Sequence, residues 1–434
     1  MNRSEMKRRV RETIDGRREE ILGLARTIHA NPELGFKEHK TAACVAGVFA
    51  AHGIPFRERL AITGVKGILA GGAAGPTVGI LGELDSLICA GAASADPATG
   101  AAHTCGHHAQ IASCVGAALG LRHAGVLEHL AGRIACIAVP AEEFVELAYR
   151  RELRQRGEIE FLGGKAELVR LGHLDDVDMA MLTHAAATSP GPRLFYGSTS
   201  NGFVAKLIRF QGRASHAGAA PEKGINALTM MALAIMNINA QRETFRDDDT
   251  IRVHQIVTRG GDLVNITPED VRMELFVRGK SVEAIQDANA KVNRALEAAA
   301  AALGGAVEIE TLPGYLPRLP ERGLTALLAD NFAALIGQDR LEVESHGTGS
   351  SDTGDLSHLM PMAEVKSGGF QGDLHTAAFA VADEEQAYLV PAKAMAMTAI
   401  DLLADGAKAA TEILAGFTPK MSRAEYLAFL RSIR

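Results

Sequence analysis

The sequence predicts a three-layer α/β protein with a smaller α+β domain inserted into it. Three observations carry that prediction. Short apolar runs at residues 77–81 (TVGIL), 133–139 (RIACIAV) and 179–183 (MAMLT) alternate with helical stretches at 109–124 and 165–172, the pattern of buried strands in a parallel sheet covered by helices. After Pro190-Gly191-Pro192 the order changes to β-α-β-β-α-β, that of a split βαβ sandwich. The length of 434 residues exceeds one ordinary domain and fits two.

The elements follow in order. Residues 5–29 read as an opening helix, with Val10, Ile14, Ile21, Leu24 and Ile28 near helical spacing, and Asn31-Pro32 ends it. A second helix covers about 41–52 and stops at Gly53. The inserted domain reads as strand 203–212, helix 220–240, strands 250–259 and 271–278, the Ala-rich helix 281–303 and strand 306–312. Helix and Gly-rich loops return after Pro313-Gly314-Tyr315 and end in a helix at 387–403. The resulting division is a larger domain of residues 1–195 and 313–434 and a smaller inserted domain of residues 196–312. An exposed edge such as strand 203–212 is expected to pair across a two-fold axis, which makes a homodimer or higher homo-oligomer the expected assembly.

Composition narrows the function. With 47% hydrophobic and 22% charged residues the chain is of globular type, and with no Trp its cores rest on aliphatic side chains. A net charge of −7 argues against nucleic acid as the main partner, because phosphate binding needs clustered Lys and Arg. Five cysteines with no CxxC pair, a charged N-terminus and the lack of an apolar run approaching ~20 residues lead to the expectation of a cytoplasmic protein without membrane contact, acting on a small molecule.

In open α/β sheets ligands bind beyond the carboxyl ends of the strands. Here those ends run into Glu83-Leu84-Asp85, Glu142-Glu143 and His184, and His103-Thr104-Cys105-Gly106-His107-His108 precedes a helix. Each piece has a plain reading alone: Cys105 as a small buried hydrophobe, the paired acids as a helix start, His184 as a core histidine. Their joint placement favours zinc or a similar divalent ion, since thiolate, imidazole and carboxylate converge on one edge. Adjacent glutamates then divide the labour, one holding metal and the other taking a proton from water acidified by it. GxSxG, Walker A and GxGxxG motifs are absent from the sequence.

At IHANPELGFKEHKTA (28–42), GELDSL (82–87), HTCGHHAQIA (103–112), VPAEE (139–143), GRASHAGAAPEKGINAL (212–228), GGDLVNITP (260–268), SSDTGDLSHLMP (350–361) and, more loosely, GDLHTAAF (372–379), the chain resembles the M20 family of metallohydrolases, in particular its amidohydrolase branch. That branch includes aminoacylases, auxin-conjugate hydrolases and aminobenzoyl-glutamate hydrolase. The resemblance implies one or two divalent ions per subunit, Mn²⁺ or Zn²⁺, held by Cys105, His107, Glu143, His184 and His375. It implies Glu142 as general base and Asp85 as the acid orienting a metal-bound histidine. It places His216 and Asn265 at the active site of the neighbouring subunit, where they hold the substrate oxygen. It implies Arg278 as the carboxylate-binding guanidinium. Ser350-Ser351-Asp352 reads either as a cap of the following helix or as a substrate contact.

Two departures stand out. CGHH replaces the family's usual CGHD, so that His108 becomes a candidate further ligand, and Glu83 stands where related branches carry His or Asp. The expected reaction is hydrolysis of a non-peptide C–N bond in a small carboxylate-bearing molecule. The substrate is an N-acyl or aryl-acyl amino acid or, as in the family member acting on 5-nitroanthranilate, an aromatic amine that loses ammonia.

Overall fold

The computed structural model describes residues 1–433. It forms two compact units: one of Met1–Ser198, Leu319–Ser345 and Asp355–Ser422, the other of Thr199–Arg318, His346–Gly354 and the segment from Arg423 on.

In the first unit an eight-stranded sheet runs in the order Phe56–Leu60, Gly64–Ala70, Ala131–Val139, Ala73–Glu83, Met179–Ala185, Met362–Ser367, Leu194–Tyr196, Leu341–Val343. Its centre is parallel as expected: Ala73–Glu83 pairs in parallel with Ala131–Val139 and Met179–Ala185, and Met179–Ala185 with Met362–Ser367. The sheet as a whole is mixed, because Gly64–Ala70 joins Ala131–Val139 antiparallel. Only three residues separate Phe56–Leu60 from Gly64–Ala70, two of them, Ala61 and Ile62, at positive φ. A connection that short makes a hairpin and cannot make the long crossover that parallel pairing needs.

The helix His107–His123 is buried along nearly its whole length, which an Ala- and Gly-rich sequence permits on all faces. The opening helix is two, Arg3–Gly16 and Arg18–His29, broken at Arg17 after the poor helix former Gly16. Near the C-terminus a π-turn at Glu385–Leu389 leads into Val390–Gly416, which carries non-helical backbone at Ala404–Ala407. Glu385–Gly416 is long and apolar enough to cross a membrane by length and composition, but its apolar window is entirely buried. It is a core helix.

In the second unit the strands run in the order Arg252–Arg259, Asp270–Gly279, Gly202–Gln211, Ala306–Pro313, all antiparallel. Helices Ala227–Ala240 and Val282–Ala302 contribute to one core with that sheet. The helix expected from residue 220 starts at Ala227, where the Asn226 side chain accepts from the Leu228 and Thr229 amides. The expectation that strand 203–212 is an exposed edge is wrong. Gly202–Gln211 has a partner on each side, and the edges are Arg252–Arg259 and Ala306–Pro313. Crossover connections decide which strand lies central, and hydrophobic pattern does not record them.

Lys206 lies on the same face of Gly202–Gln211 as the core residues Val204, Ile208 and Phe210. It is fully buried and donates to Thr311 Oγ1 at 2.8 Å. Burial pulls its ammonium down to about 7, against ~10.4 for an unfolded lysine. Below pH 7 both states carry the proton and the unit bears the full cost of burying the charge. Between the two values only the unfolded chain is protonated, so stability should rise with pH, by at most about 1.4 kcal/mol per unit. Denaturant titrations at pH 7, 8 and 9 should show this slope, and Lys206→Met should flatten it. An unchanged slope in the variant would refute the assignment.

Candidate metal centre

The strand Ala73–Glu83 delivers Glu83 and then Asp85 to the carboxyl edge, both fully buried. Beyond Cys105, Gly106 takes φ 88° as the residue preceding the helix His107–His123. A Cβ there would lie 2.7 Å from Ala185 Cβ, so both the left-handed backbone and the close approach require glycine. This turn brings Cys105 and His107 to the same cluster. Past Ala131–Val139 the chain turns through Ala141 at φ 51° and presents Glu142 and Glu143.

Asp85 ties these segments together. His107 Nδ1 bonds the Asp85 backbone carbonyl at 2.9 Å and its carboxylate at 3.2 Å, and the other carboxylate oxygen accepts from the Glu143 amide at 2.8 Å. A carbonyl can only accept, so the network assigns the ring proton to Nδ1 and leaves the Nε2 lone pair facing the cluster. Nε2 lies 3.1 Å from Glu83 Oε2 and 3.8 Å from Glu142 Oε2.

Opposite, Cys105 Sγ is 3.4 Å from His184 Nε2 and 3.3 Å from His375 Nε2, and His375 Nε2 is 3.2 Å from Glu143 Oε1. His375 reaches this position from a left-handed backbone, φ 62°, with its amide on the Thr104 carbonyl at 2.8 Å. Three donor groups result, each with its ligand atoms within 4.8 Å of one another: Cys105–His107–His184, Cys105–Glu143–His375 and Glu83–His107–Glu142. The first two share Cys105.

These residues fit divalent ions on their own chemistry. His107 Nε2 is buried without a well-directed hydrogen bond, a costly state unless another partner is supplied. Glu83, Asp85, Glu142 and Glu143 are all buried close together, and like charges so placed call for cationic compensation. Burial and the nearby Glu143 charge push the Cys105 thiol up, and a bound cation is what draws such a proton off. Burial also opposes ionisation of Glu143, but His375 and His107 outweigh it and hold that carboxyl at about 2.

Three supporting side chains carry no signal in the sequence. Arg150, fully buried, donates to the Leu162 carbonyl at 2.6 Å and to the Glu143 carbonyl, which fixes the turn that carries both glutamates. In the sequence it sits in YRRELRQR and reads as a solvated helix face. Glu38, which burial and then the Asp85 charge push up to about 7, accepts from the Ala141 amide at 2.7 Å. Lys165, also fully buried, donates to Glu83 Oε1 at 2.6 Å.

Other candidates lie elsewhere. His108 belongs to none of the three groups. Its Nε2 faces the Tyr388 hydroxyl at 3.3 Å, and its ring packs against His29 and His103. His216, Asn265 and Arg278 belong to the second unit. The first two sit on adjoining loops, where the Ala217 amide donates to the Asn265 carbonyl at 2.9 Å and His216 Nδ1 accepts from the Gly218 and Ala219 amides. Arg278 bonds His254 Nε2 at 3.1 Å and Ser350 Oγ at 3.0 Å, with its guanidinium over the Phe203 and Phe276 rings. Ser351 Oγ accepts from the Thr353 amide at 3.3 Å, so the Ser-Ser pair both caps the short helix and touches the candidate substrate arginine.

Residues 199–303 match the peptidase dimerisation domain of the M20 family. Xaa-Arg dipeptidase of Mus musculus is 29% identical over 427 residues, 92% of this chain and 89% of that protein. The chain is thus similar to the M20 peptidases in its inserted domain and to a dipeptidase over nearly its whole length. A dinuclear metal binding peptidase of this family from Bacillus subtilis superposes with a TM-score of 0.65 at 22% identity, over 89% of this chain and 98% of that one. An aminobenzoyl-glutamate utilization protein from Klebsiella pneumoniae superposes with a TM-score of 0.66 at 19% identity, over 90% and 98%. At these identities the superpositions establish the fold alone. The M20 fold here is the mixed eight-stranded sheet with the four-stranded antiparallel domain inserted.

Replacing Arg150 by Met keeps the volume but leaves the Glu143 and Leu162 carbonyls without their charged donor. The expected loss is on the order of 3 kcal/mol of stability, read as a lower denaturation midpoint. A midpoint equal to wild type would show that the turn does not depend on Arg150.

Proposed function

We propose that the enzyme hydrolyses the amide bond of a small carboxylate-bearing molecule such as an N-acyl or aryl-acyl amino acid. The observation that carries this reading is the pair of donor groups sharing Cys105, with the buried Glu142 beside them. Cys105, His107, Glu143, His184 and His375 would hold two divalent ions, Mn²⁺ or Zn²⁺. Such ions, when bound, supply Lewis acidity that acidifies water and polarises the substrate carbonyl.

The remaining roles fall to the chain's own residues. Glu142 takes the proton from the attacking water and passes it to the leaving nitrogen. Asp85 fixes the His107 tautomer and orientation. Arg278, steered by Ser350 and His254, grips the substrate carboxylate with two parallel hydrogen bonds. In a homodimer, His216 and Asn265 of each subunit hold the substrate oxygen at the partner's centre. The kinship to a dipeptidase over nearly the whole chain supports amide cleavage. The replacement of the usual acid by His108 is compatible with a second reading, deamination of an aromatic amine.

A panel of dipeptides, N-acyl amino acids and amino-substituted aromatic carboxylates separates the readings. Amide cleavage predicts release of free amino acid that is lost on chelation and restored by Mn²⁺ or Zn²⁺. Ammonia as the sole product would overturn it in favour of deamination.

Action across the dimer is open to complementation. Glu142→Gln and His216→Ala should each reduce kcat by about 100-fold or more, while co-assembled mixed subunits should recover roughly a quarter of wild-type activity, one intact centre per mixed dimer. Mixtures no more active than either variant alone would rule out catalysis in trans.

A further inference from the structure

The proposed ligand set leaves Glu83 and Lys165 unused, although both are fully buried at the centre's edge. We propose that Glu83 is a further ligand of the divalent ion taken by His107, and that Lys165 is the residue that positions it. The inference rests on the metallohydrolase reading above and adds a donor to it.

Geometry makes the first argument. His107 Nδ1 is engaged by Asp85, so its coordinating atom is Nε2, and Glu83 Oε2 lies 3.1 Å from that atom. Nε2 has no well-directed hydrogen bond there, and a cation held between the two atoms would give it a partner. Two donors each about 2.1 Å from a common ion stand roughly 3.0–3.4 Å apart in octahedral or tetrahedral arrangements. The other candidate ligand pairs show the same spacing, 3.2 Å for His375–Glu143 and 3.4 Å for Cys105–His184.

Glu83 is also held as a ligating carboxylate must be. Lys165 Nζ donates to Oε1 at 2.6 Å and Gln110 Nε2 to Oε2 at 2.8 Å. Both carboxylate oxygens are thereby oriented, and Oε2 keeps a lone pair for the cluster. Lys165 arrives because Gly164 lets its helix approach the end of the strand Ala131–Val139: a Cβ on Gly164 would lie 1.7 Å from the Pro140 carbonyl oxygen. An ammonium buried this deeply is costly to retain for packing alone. Here it offsets one charge in a pocket that also buries Asp85, Glu142 and Glu143.

The test is metal binding to the full-length apoprotein, titrated with Zn²⁺ against a competing chelator, together with the visible spectrum of the Co²⁺-loaded protein. Glu83→Gln, and Glu83→Gln combined with Lys165→Met, should weaken one of the two binding steps by at least about 10-fold and shift the Co²⁺ bands. The double variant removes both buried charges, so its apo denaturation midpoint should stay near wild type and guards against a folding artefact. His184→Ala serves as the reference. If the double variant binds Zn²⁺ as tightly as wild type while His184→Ala binds weakly, Glu83 is only half of a structural ion pair and the inference falls alone. If the wild-type protein binds no ion, the metallohydrolase reading falls with it.

Discussion

The centre depends on one carboxylate. Asp85 accepts from the His107 ring through one oxygen and from the Glu143 amide through the other, and so joins three stretches of chain that are distant in sequence. Fully buried, it must have its lone pairs filled, and an unmet buried carboxylate would cost several kcal/mol. That cost converts a chemical need into geometry: the imidazole is held in one tautomer and the glutamate turn is held at one height above the sheet. Side chains so constrained are ordered before anything binds them.

Around this link the structure gathers far more negative charge than a core ordinarily tolerates. Glu83, Glu142 and Glu143 stand beside Asp85, and Glu38 lies close enough for the Asp85 charge to raise it. The parallel strands Ala73–Glu83, Ala131–Val139 and Met179–Ala185 end here, the edge at which open α/β sheets bind their ligands. Backbone strain collects at the same place, in Ala141 and His375. Non-glycine residues in that region persist only where their surroundings over-determine them, here through the hydrogen bonds of the Ala141 amide to Glu38 and the His375 amide to Thr104.

The second unit presents different chemistry. Arg278 bonds His254 Nε2 and the Ser350 hydroxyl, which orient its guanidinium. The aromatic rings of Phe203 and Phe276 limit where the guanidinium can lie.

Much of this was written in the sequence. The buried runs at 77–81, 133–139 and 179–183 and the β-α-β-β-α-β order after Pro192 follow from periodicity, because side-chain burial repeats with the backbone. Glu142, Glu143 and His184 could be picked out because each falls at or just past the end of such a run, and Cys105 and His107 because they cluster where the next helix begins. Tertiary structure alone decided the antiparallel flank of the sheet, the central place of Gly202–Gln211, the turning of His108 toward Tyr388, and the burial of Arg150 and Lys165 at the centre. Strand order and the partners of a long charged side chain are set by residues far away along the chain. Local pattern carries hydrophobicity and turn chemistry, but it holds no record of which distant charge a lysine or arginine will meet.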